Sequence, residues 1–372
     1  MSTISSEPPE LEVRGLSKSF NGIAAVSDVS FVLGKGEFLS LLGPSGCGKT
    51  TTLRMLAGFV APDSGFVTLR DADITQRPPY QRDVGLLFQN YALFPHMTVS
   101  ENVGFGPRMR GMPRSERAER VQWALDLVRL SGFELRKPSE LSGGQQQRVA
   151  VARVLAAEAS VLLLDEPFSN LDAKLRLHMQ DELKELQLRL KISTIHVTHD
   201  QEEAMSLSDR LIIMNAGRIE QNARPETVYG SPANRFVAEF MGSCNRLADQ
   251  SPVPRNGEFD LGPAGRLLLS ADRSASGVRE VFVRPEHVDV ALTGAFENRE
   301  NVLKGSLVRS VYLGERTRLH ILLDNGQSLL AQCANPPGGR EEIENGSRLD
   351  VHVPASALFL IGDVDYNGTS AS

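Results

Sequence analysis

The 372-residue sequence has no long apolar run. Its longest, such as VLLL at 161–164 and LIIM at 211–214, fall far short of the roughly 20 residues a membrane-spanning helix needs, and they read as buried strands. Cysteine is scarce: Cys47, Cys244 and Cys333 are widely spaced and odd in number. That argues against a disulfide framework or a four-ligand zinc site and suits a reducing compartment. There is no basic excess. Lys and Arg number 40 against 46 Asp and Glu, for a net charge of −6, so a dominant nucleic-acid surface is not indicated. The opening residues, MSTISSEPPELEV, show neither the charged nor the apolar region of a secretory signal. No low-complexity tract or repeat stands out. What is there is 41% hydrophobic and 23% charged, an ordinary globular composition, with length for two or three domains. The expectation is a cytoplasmic chain, with any membrane role supplied by partners.

Residues 11–33 alternate apolar and polar around Asn21-Gly22 and read as antiparallel strands. GEFLSLLG (36–43) is an apolar strand entering a glycine-rich loop, after which 49–57 switches to helical spacing. VGLLFQ (84–89) reads as a short buried strand. ERAERVQWALDLVRLSG (116–132) carries Val121, Ala124, Leu125, Val128 and Leu130 near one helical stripe and ends at a glycine. QQQRVAVARVLAAE (145–158) is a second helix. VLLLDEP and TIHVTHD (194–200) are strands with polar ends, and RLIIMNAGRIEQ (210–221) reads as a hairpin. Strands and helices alternate from about 36 to 210, which predicts an α/β domain with a largely parallel sheet. After PETVYGSPANRFVAEFMG (225–242) the pattern becomes short alternating strands, with a hairpin turn at Asp324-Asn325-Gly326. That predicts a small, barrel-like all-β domain.

Gly43, Pro44, Ser45, Gly46, Cys47, Gly48, Lys49 and Thr50, followed by Thr51, match G-x-x-x-x-G-K-[ST] between a strand and a helix. The glycines let backbone N–H groups converge on phosphate, and the helix N-terminus adds its dipole. Lys49 would reach the β- and γ-phosphates, and Thr50 would ligate Mg²⁺. Asp165 ends an apolar strand and can hold the same Mg²⁺. Glu166 points elsewhere and can polarise a water in line with the γ-phosphate. Alone, the two carboxylates would read as caps of a turn; the glycine loop favours catalysis. LSGGQQQRVAVARVLA (141–156) opens a further helix with Ser142, Gly143, Gly144 and Gln145, a second anion-binding N-terminus that one nucleotide on one chain does not need. Cys47, inside the loop, leads to an expectation of sensitivity to thiol-alkylating reagents where a bound nucleotide does not shield it.

These motifs together resemble the ATP-binding cassette family. The resemblance implies a P-loop NTPase cassette over 10–242. It would hold a parallel core sheet, an antiparallel β subdomain and a helical subdomain at about 90–158. A small OB-like barrel would follow over 243–364. It implies ATP and Mg²⁺ as ligands and a head-to-tail homodimer, in which LSGGQ of one copy caps the ATP of the other. By position, Phe20 matches the aromatic that stacks on adenine, with core packing as its alternative. Gln89 matches the glutamine that contacts Mg²⁺ or water. Asp172, in SNLD (169–172), matches the residue that reaches across the dimer, and His199 the histidine that contacts the γ-phosphate. His196, on the opposite side of its strand, reads as structural. With Glu166 intact, the resemblance implies a hydrolysing site.

A fused exporter is excluded by the lack of membrane helices. One cassette is unlike the tandem translation factors, and no heptad insertion suggests a coiled-coil repair ATPase. An importer's detachable ATPase subunit remains, working with two integral membrane permease subunits and, indirectly, an external solute-binding protein. It would sit peripherally on the inner face of the cell membrane. Tyr91, Leu93, Phe94 and Met97 are expected to form an exposed cluster that receives a short helix from the permease, unless they belong to the helical core. Their burial would favour a permease-independent regulatory ATPase. FVRPEHVDVA (282–291) and KGSLVRSVYLG (304–314) resemble the regulatory domain of importer ATPases for polyamines, sugars, iron, sulfate and phosphonates. The tail's acidic charge and few aromatics argue against nucleic acid. VGLLFQNYALFPHMTVSENVGFG is most similar to importer ATPases for spermidine and putrescine. Ferric iron, sulfate, phosphonate and sugar remain alternatives, since the selective pocket lies in other subunits.

Overall fold

The computed structural model describes residues 8–252, 257–269, 278–336 and 343–362. The chain divides into two compact units between Pro225 and Glu226.

In the first unit, β1 (Leu11–Phe20) and β2 (Ile23–Leu33) form the expected hairpin over Asn21 and Gly22, both at positive φ. There follow β3 (Phe38–Leu42), α1 (Lys49–Ala57), β4 (Ser64–Leu69), β5 (Ala72–Asp73) and β6 (Val84–Leu87). Next come α2 (Val99–Val103), α3 (Phe105–Met109), α4 (Arg114–Leu127) and α5 (Gly143–Ala156). The unit closes with β7 (Val161–Asp165), α6 (Ala173–Leu190), β8 (Ser193–Thr198), α7 (Gln201–Leu207), β9 (Arg210–Asn215) and β10 (Arg218–Ala223). An antiparallel sheet runs β2-β1-β4-β5, and a six-stranded sheet runs β10-β9-β3-β8-β7-β6. In the latter every pairing is parallel except β10 with β9.

The run VLLL is explained by a sheet buried on both faces. Val161 and Leu163 join a core with Leu39, Leu41, Leu53 and Met55, while Leu162 and Leu164 join the helical core with Val149 and Leu183. That is the two-residue period of a strand. Arg82, buried, donates to the Met55 and Leu56 carbonyls, each at 2.7 Å, and to those of Arg77 and Thr75. It thereby supplies donors to the end of α1.

Three local expectations need correction. α4 stops at Leu127, because Arg129 turns left-handed at φ 57; Leu130 is buried from beyond the helix. α6 is the longest helix among the described residues, and the sequence patterning names none there. Leu175, Met179, Leu183 and Leu186 pack inward, but Leu177 and Leu188 are exposed, so the apolar stripe is blurred. Tyr91 is only 6% exposed and lies in the helical core. It does not belong to an exposed cluster. Leu93, Phe94 and Met97 are half-buried, with the Phe94 ring 4.6 Å from that of Phe105.

The second unit begins with α8 (Pro225–Gly230), which starts at the boundary, and α9 (Arg235–Phe240). The strands are β11 (Asn245–Pro252), β12 (Glu258–Asp260), β13 (Arg266–Leu268), β14 (Val278–Val283), β15 (Asp289–Leu292) and β16 (Val302–Tyr312). They continue with β17 (Arg316–Leu323), β18 (Ser328–Ala334), β19 (Arg348–His352) and β20 (Leu358–Gly362). They form antiparallel sheets ordered β15-β19-β16-β17-β18, β11-β14-β20 and β12-β13. The β17–β18 turn carries Gly326 at φ 84, as Asp-Asn-Gly implies. Val281, Leu303, Leu319, Ile321 and Val351 fill one core. This is the expected all-β tail.

Arg284 is the largest buried side chain in this unit. It donates to the carbonyls of Ala238, Gly242 and Ser243 at 2.8–3.3 Å and to that of Tyr229 at 3.1 Å. Its guanidinium lies 4.2 Å from the Tyr229 ring centroid. Burial and the bond to Glu286 push the Tyr229 hydroxyl up to about 12, so the ring stays neutral under the cation. Removing Arg284 strands several carbonyls and leaves a void. Arg284→Met is expected to lower stability by about 3 kcal/mol or more, seen as a lower urea midpoint. Lysine at this position cannot reach all four acceptors, so Arg284→Lys is expected to recover less than half of the loss. An unchanged midpoint in either variant would contradict the clamp.

Candidate active site

The parallel register carries the ends of β3, β6, β7 and β8 to one edge, and the candidate residues leave from those ends. The loop after β3 holds its shape because two glycines admit no side chain. A Cβ on Gly48, at φ 104, would lie 2.4 Å from the Ala25 carbonyl oxygen; one on Gly43 would lie 2.2 Å from that of Met214. Gly48 is also the left-handed N-cap of α1, so the helix begins with free backbone donors facing the loop. Lys49 is buried. Its Nζ donates to the Gly43 and Pro44 carbonyls at 2.7 and 3.0 Å, which holds the charge inside the loop.

Thr50 Oγ1 lies 3.3 Å from Asp165 Oδ1, so the two expected metal ligands meet. Burial pushes the Asp165 carboxyl above its ordinary value. The Thr50 hydroxyl, Arg54 and Lys49 oppose the rise, and neighbouring Glu166 adds to it. A buried carboxylate of this kind gains from a cation. Gln89 is not with this pair. Its Nε2 points instead to Glu166 Oε2 at 3.5 Å and Ser169 Oγ at 3.3 Å.

Glu166 sits in the left-handed region at φ 46, a conformation that costs a side-chain residue about 1 kcal/mol or more. Its N–H donates to the Val197 carbonyl at 3.0 Å, and its own carbonyl accepts from Ser169 Oγ at 3.0 Å. The turn thereby swings the carboxylate off the Asp165 direction. His199 Nδ1 comes within 3.3 Å of Glu166 Oε2. Gln89, Glu166 and His199 thus converge from three strand ends. Glu166 and His199 line a cavity of about 70 Å³ together with Ser169, Arg176 and Glu203. Sequence reasoning missed Ser169 and Asn170, whose Nδ2 fixes the Gln89 carbonyl at 2.9 Å. Both stand in SNLD, so the signal was their place beside Glu166. His196 is structural, as expected. It is fully buried, with Nδ1 3.0 Å from Ser40 Oγ and Nε2 2.6 Å from Glu203 Oε1.

The remaining candidates stand apart from the loop. Ser142 caps α5 in a reciprocal box with Gln145, at 2.9 and 3.4 Å. Ser142 and Gly143 are exposed, while Gly144 packs against Leu175. Among the described residues, no hydrogen bond joins Ser142–Gln145 to the glycine loop. Asp172 caps α6 through the Leu175 N–H at 3.0 Å. Phe20 is 47% exposed at the tip of β1, which removes core packing as its explanation.

Cys47 corrects an expectation. It is 4% exposed, and burial pushes its thiol up despite Lys49 nearby. A buried, poorly ionised thiol reacts slowly. Iodoacetamide is therefore expected to label Cys47 more slowly than half-buried Cys333 in the native chain, as peptide mass spectrometry would show. Faster labelling of Cys47 would contradict this burial.

Comparisons with known proteins follow the same lines. The ABC transporter domain matches residues 26–169 and the TOBE domain residues 281–361. The spermidine/putrescine import ATP-binding protein PotA of Rubrobacter xylanophilus is 48% identical over 334 residues, covering 88% of this chain and 87% of its own. The sulfate/thiosulfate import ATP-binding protein CysA 2 of Chromobacterium violaceum is 43% identical over 351 residues, covering 94% of each. Among solved structures, cbiO1 from Clostridium perfringens, part of the ABC transporter complex cbiONQ, matches with a TM-score of 0.56 at 30% identity. It covers 60% of this chain and 91% of that one. The expected fold class, an ATP-binding α/β cassette followed by an all-β domain, is borne out. The chain belongs to the ABC transporter family, as one of its ATP-hydrolysing ATP-binding proteins.

Proposed function

We propose that this chain is the ATP-hydrolysing subunit of a membrane importer for a polyamine, spermidine or putrescine. The observation that carries the chemistry is the convergence of Gln89, Glu166 and His199 beside the Gly43–Thr50 loop. The solute comes from similarity to the relative named for spermidine and putrescine import. The relative named for sulfate and thiosulfate keeps a sulfate importer as a second reading.

Each residue has a task in this reading. Backbone N–H groups of the loop and the first turn of α1 bind the phosphates, and Lys49 turns from the loop carbonyls to the β- and γ-phosphates. Phe20 offers a face to adenine. Thr50 and Asp165 fit Mg²⁺, with Gln89 at the edge of its surroundings. Among the described residues no cluster of three or more His, Cys, Asp or Glu could hold a metal, and one carboxylate with substrate phosphates is how Mg²⁺ is usually held. When bound, Mg²⁺ neutralises charge on the phosphates. Glu166 accepts a proton from the attacking water, Gln89 orients that water, and His199 contacts the γ-phosphate.

The exposed Ser142 and Gly143, unconnected to their own loop, suit capping of the ATP held by a second copy, with Asp172 crossing the same interface. Closure of two copies on two ATPs then moves two docked permease subunits, and an external solute-binding protein delivers the solute. No helix among the described residues is long and apolar enough to cross a membrane, and in this reading the permeases do so. The chain would sit at the inner face of the cell membrane. Half-exposed Leu93, Phe94 and Met97 remain available for docking; buried Tyr91 does not.

Glu166→Gln is expected to retain ATP binding, lose turnover by about 10²-fold or more, and run as an ATP-dependent dimer on gel filtration. Turnover near wild type would remove Glu166 from its role.

A further inference from the structure

The segment between β6 and α2 is bent against its own preference. Tyr91 and Ala92 stand one after the other in the left-handed region, at φ 60 and 45, and neither is a glycine. A residue with a Cβ enters that region at a cost, and two in succession stay there only where their surroundings hold them. Gln89 stands just ahead of this bend. The bend therefore sets how Gln89 leaves β6, and whether its Nε2 meets Glu166 Oε2 at 3.5 Å and Ser169 Oγ at 3.3 Å.

Three side chains hold the segment. Asn170 Nδ2 donates to the Gln89 carbonyl at 2.9 Å. Buried Asn102 takes both polar groups of the Phe94 backbone: its Oδ1 accepts from the N–H at 2.8 Å, and its Nδ2 donates to the carbonyl at 3.1 Å. Between these two points the strained pair is held by Arg153 of α5. Its Nη1 donates to the Ala92 carbonyl at 2.7 Å and its Nη2 to the Tyr91 carbonyl at 2.8 Å. The guanidinium also lies 5.7 Å from the Phe94 ring centroid. Burial works against the Arg153 charge, and two short charge-assisted bonds offset that penalty. A planar fork meets two adjacent carbonyls at once, whereas an ammonium is a point donor.

We propose that Arg153 is a positioning residue for ATP hydrolysis: by holding the Tyr91–Ala92 bend, it keeps the Gln89 amide against Glu166. Its effect on turnover rests on the task given to Gln89 above; its hold on the bend does not.

Arg153→Met keeps the length of the side chain and an apolar contact for Phe94, but loses both bonds. It is expected to lower kcat for ATP about tenfold, with KM changed by less than about twofold. Glycine takes positive φ freely, so adding Ala92→Gly should raise that kcat again by about threefold or more. If Arg153 only packed α5, Ala92→Gly would recover nothing. On a Gln89→Ala background, Arg153→Met should cost less than about twofold further, because the amide that it places is gone. Hydrogen exchange of the peptide covering 88–94 reads the bend without activity. It should rise about tenfold or more in Arg153→Met and fall again with Ala92→Gly. Arg153→Lys, expected to lie between wild type and Arg153→Met in both measurements, serves if the methionine variant does not fold. Unchanged exchange, no recovery with Ala92→Gly, or the full loss on the Gln89→Ala background would overturn the proposal. So would a wild-type kcat in Arg153→Met while Gln89→Ala is impaired. Normal turnover in Gln89→Ala, with exchange still raised in Arg153→Met, would instead strike the proposed task of Gln89, and with it the effect of Arg153 on turnover, while sustaining its hold on the bend.

Discussion

The parallel pairing of β3, β8, β7 and β6 is the constraint on which the candidate site depends. Leu42 of β3 lies beside Thr198 of β8, and Val197 beside Asp165 of β7. With the strands in step, the glycine loop, Asp165, Glu166, His199 and Gln89 all leave one edge. A slip of one residue would exchange the faces of β7 and send the apolar side chains of VLLL to the wrong cores. Burial of the sheet on both faces therefore fixes the chemistry as well as the stability. Glu166 adds a local device. Its left-handed backbone, held by Val197 and Ser169, separates two adjacent carboxylates, with Asp165 toward Thr50 and Glu166 toward Gln89 and His199.

Arginine meets a different need, supplying donors where backbone carbonyls are buried. Arg82 does so at the end of α1 and Arg284 near the end of α9. Both guanidiniums spread several bonds over several carbonyls, which suits a planar five-donor group better than an ammonium. The first steadies the helix that begins at the phosphate loop, and the second steadies the entry to the all-β unit. Neither position announces itself in the sequence, since a lone arginine reads as surface charge until its carbonyl partners are known.

Much of the site was legible because its chemistry depends on local strings. Gly43–Thr50, the Asp165-Glu166 pair and the His199 segment each follow a strand that apolar patterning marks. The alternation of strands and helices gave the α/β class, and Asp324-Asn325-Gly326 marked a hairpin. What escaped depends on tertiary placement. α6 has leucines on several faces, and only packing shows which are core. Tyr91 looked like a docking aromatic, yet it turns into the helical core. Cys47 looked reactive because of its loop, and burial slows it.

Together these features describe an ATP-hydrolysing subunit whose candidate site is built by one sheet, with completion by a second copy and import of a polyamine as its proposed workings. The most direct measurement is uptake of labelled spermidine, putrescine and sulfate in cells lacking this chain, complemented by wild type or Glu166→Gln. The account predicts that wild type restores spermidine or putrescine uptake, that sulfate uptake is unaffected, and that Glu166→Gln restores neither. Restoration of sulfate uptake alone would contradict the proposed solute, and polyamine uptake independent of the chain would contradict the importer role itself.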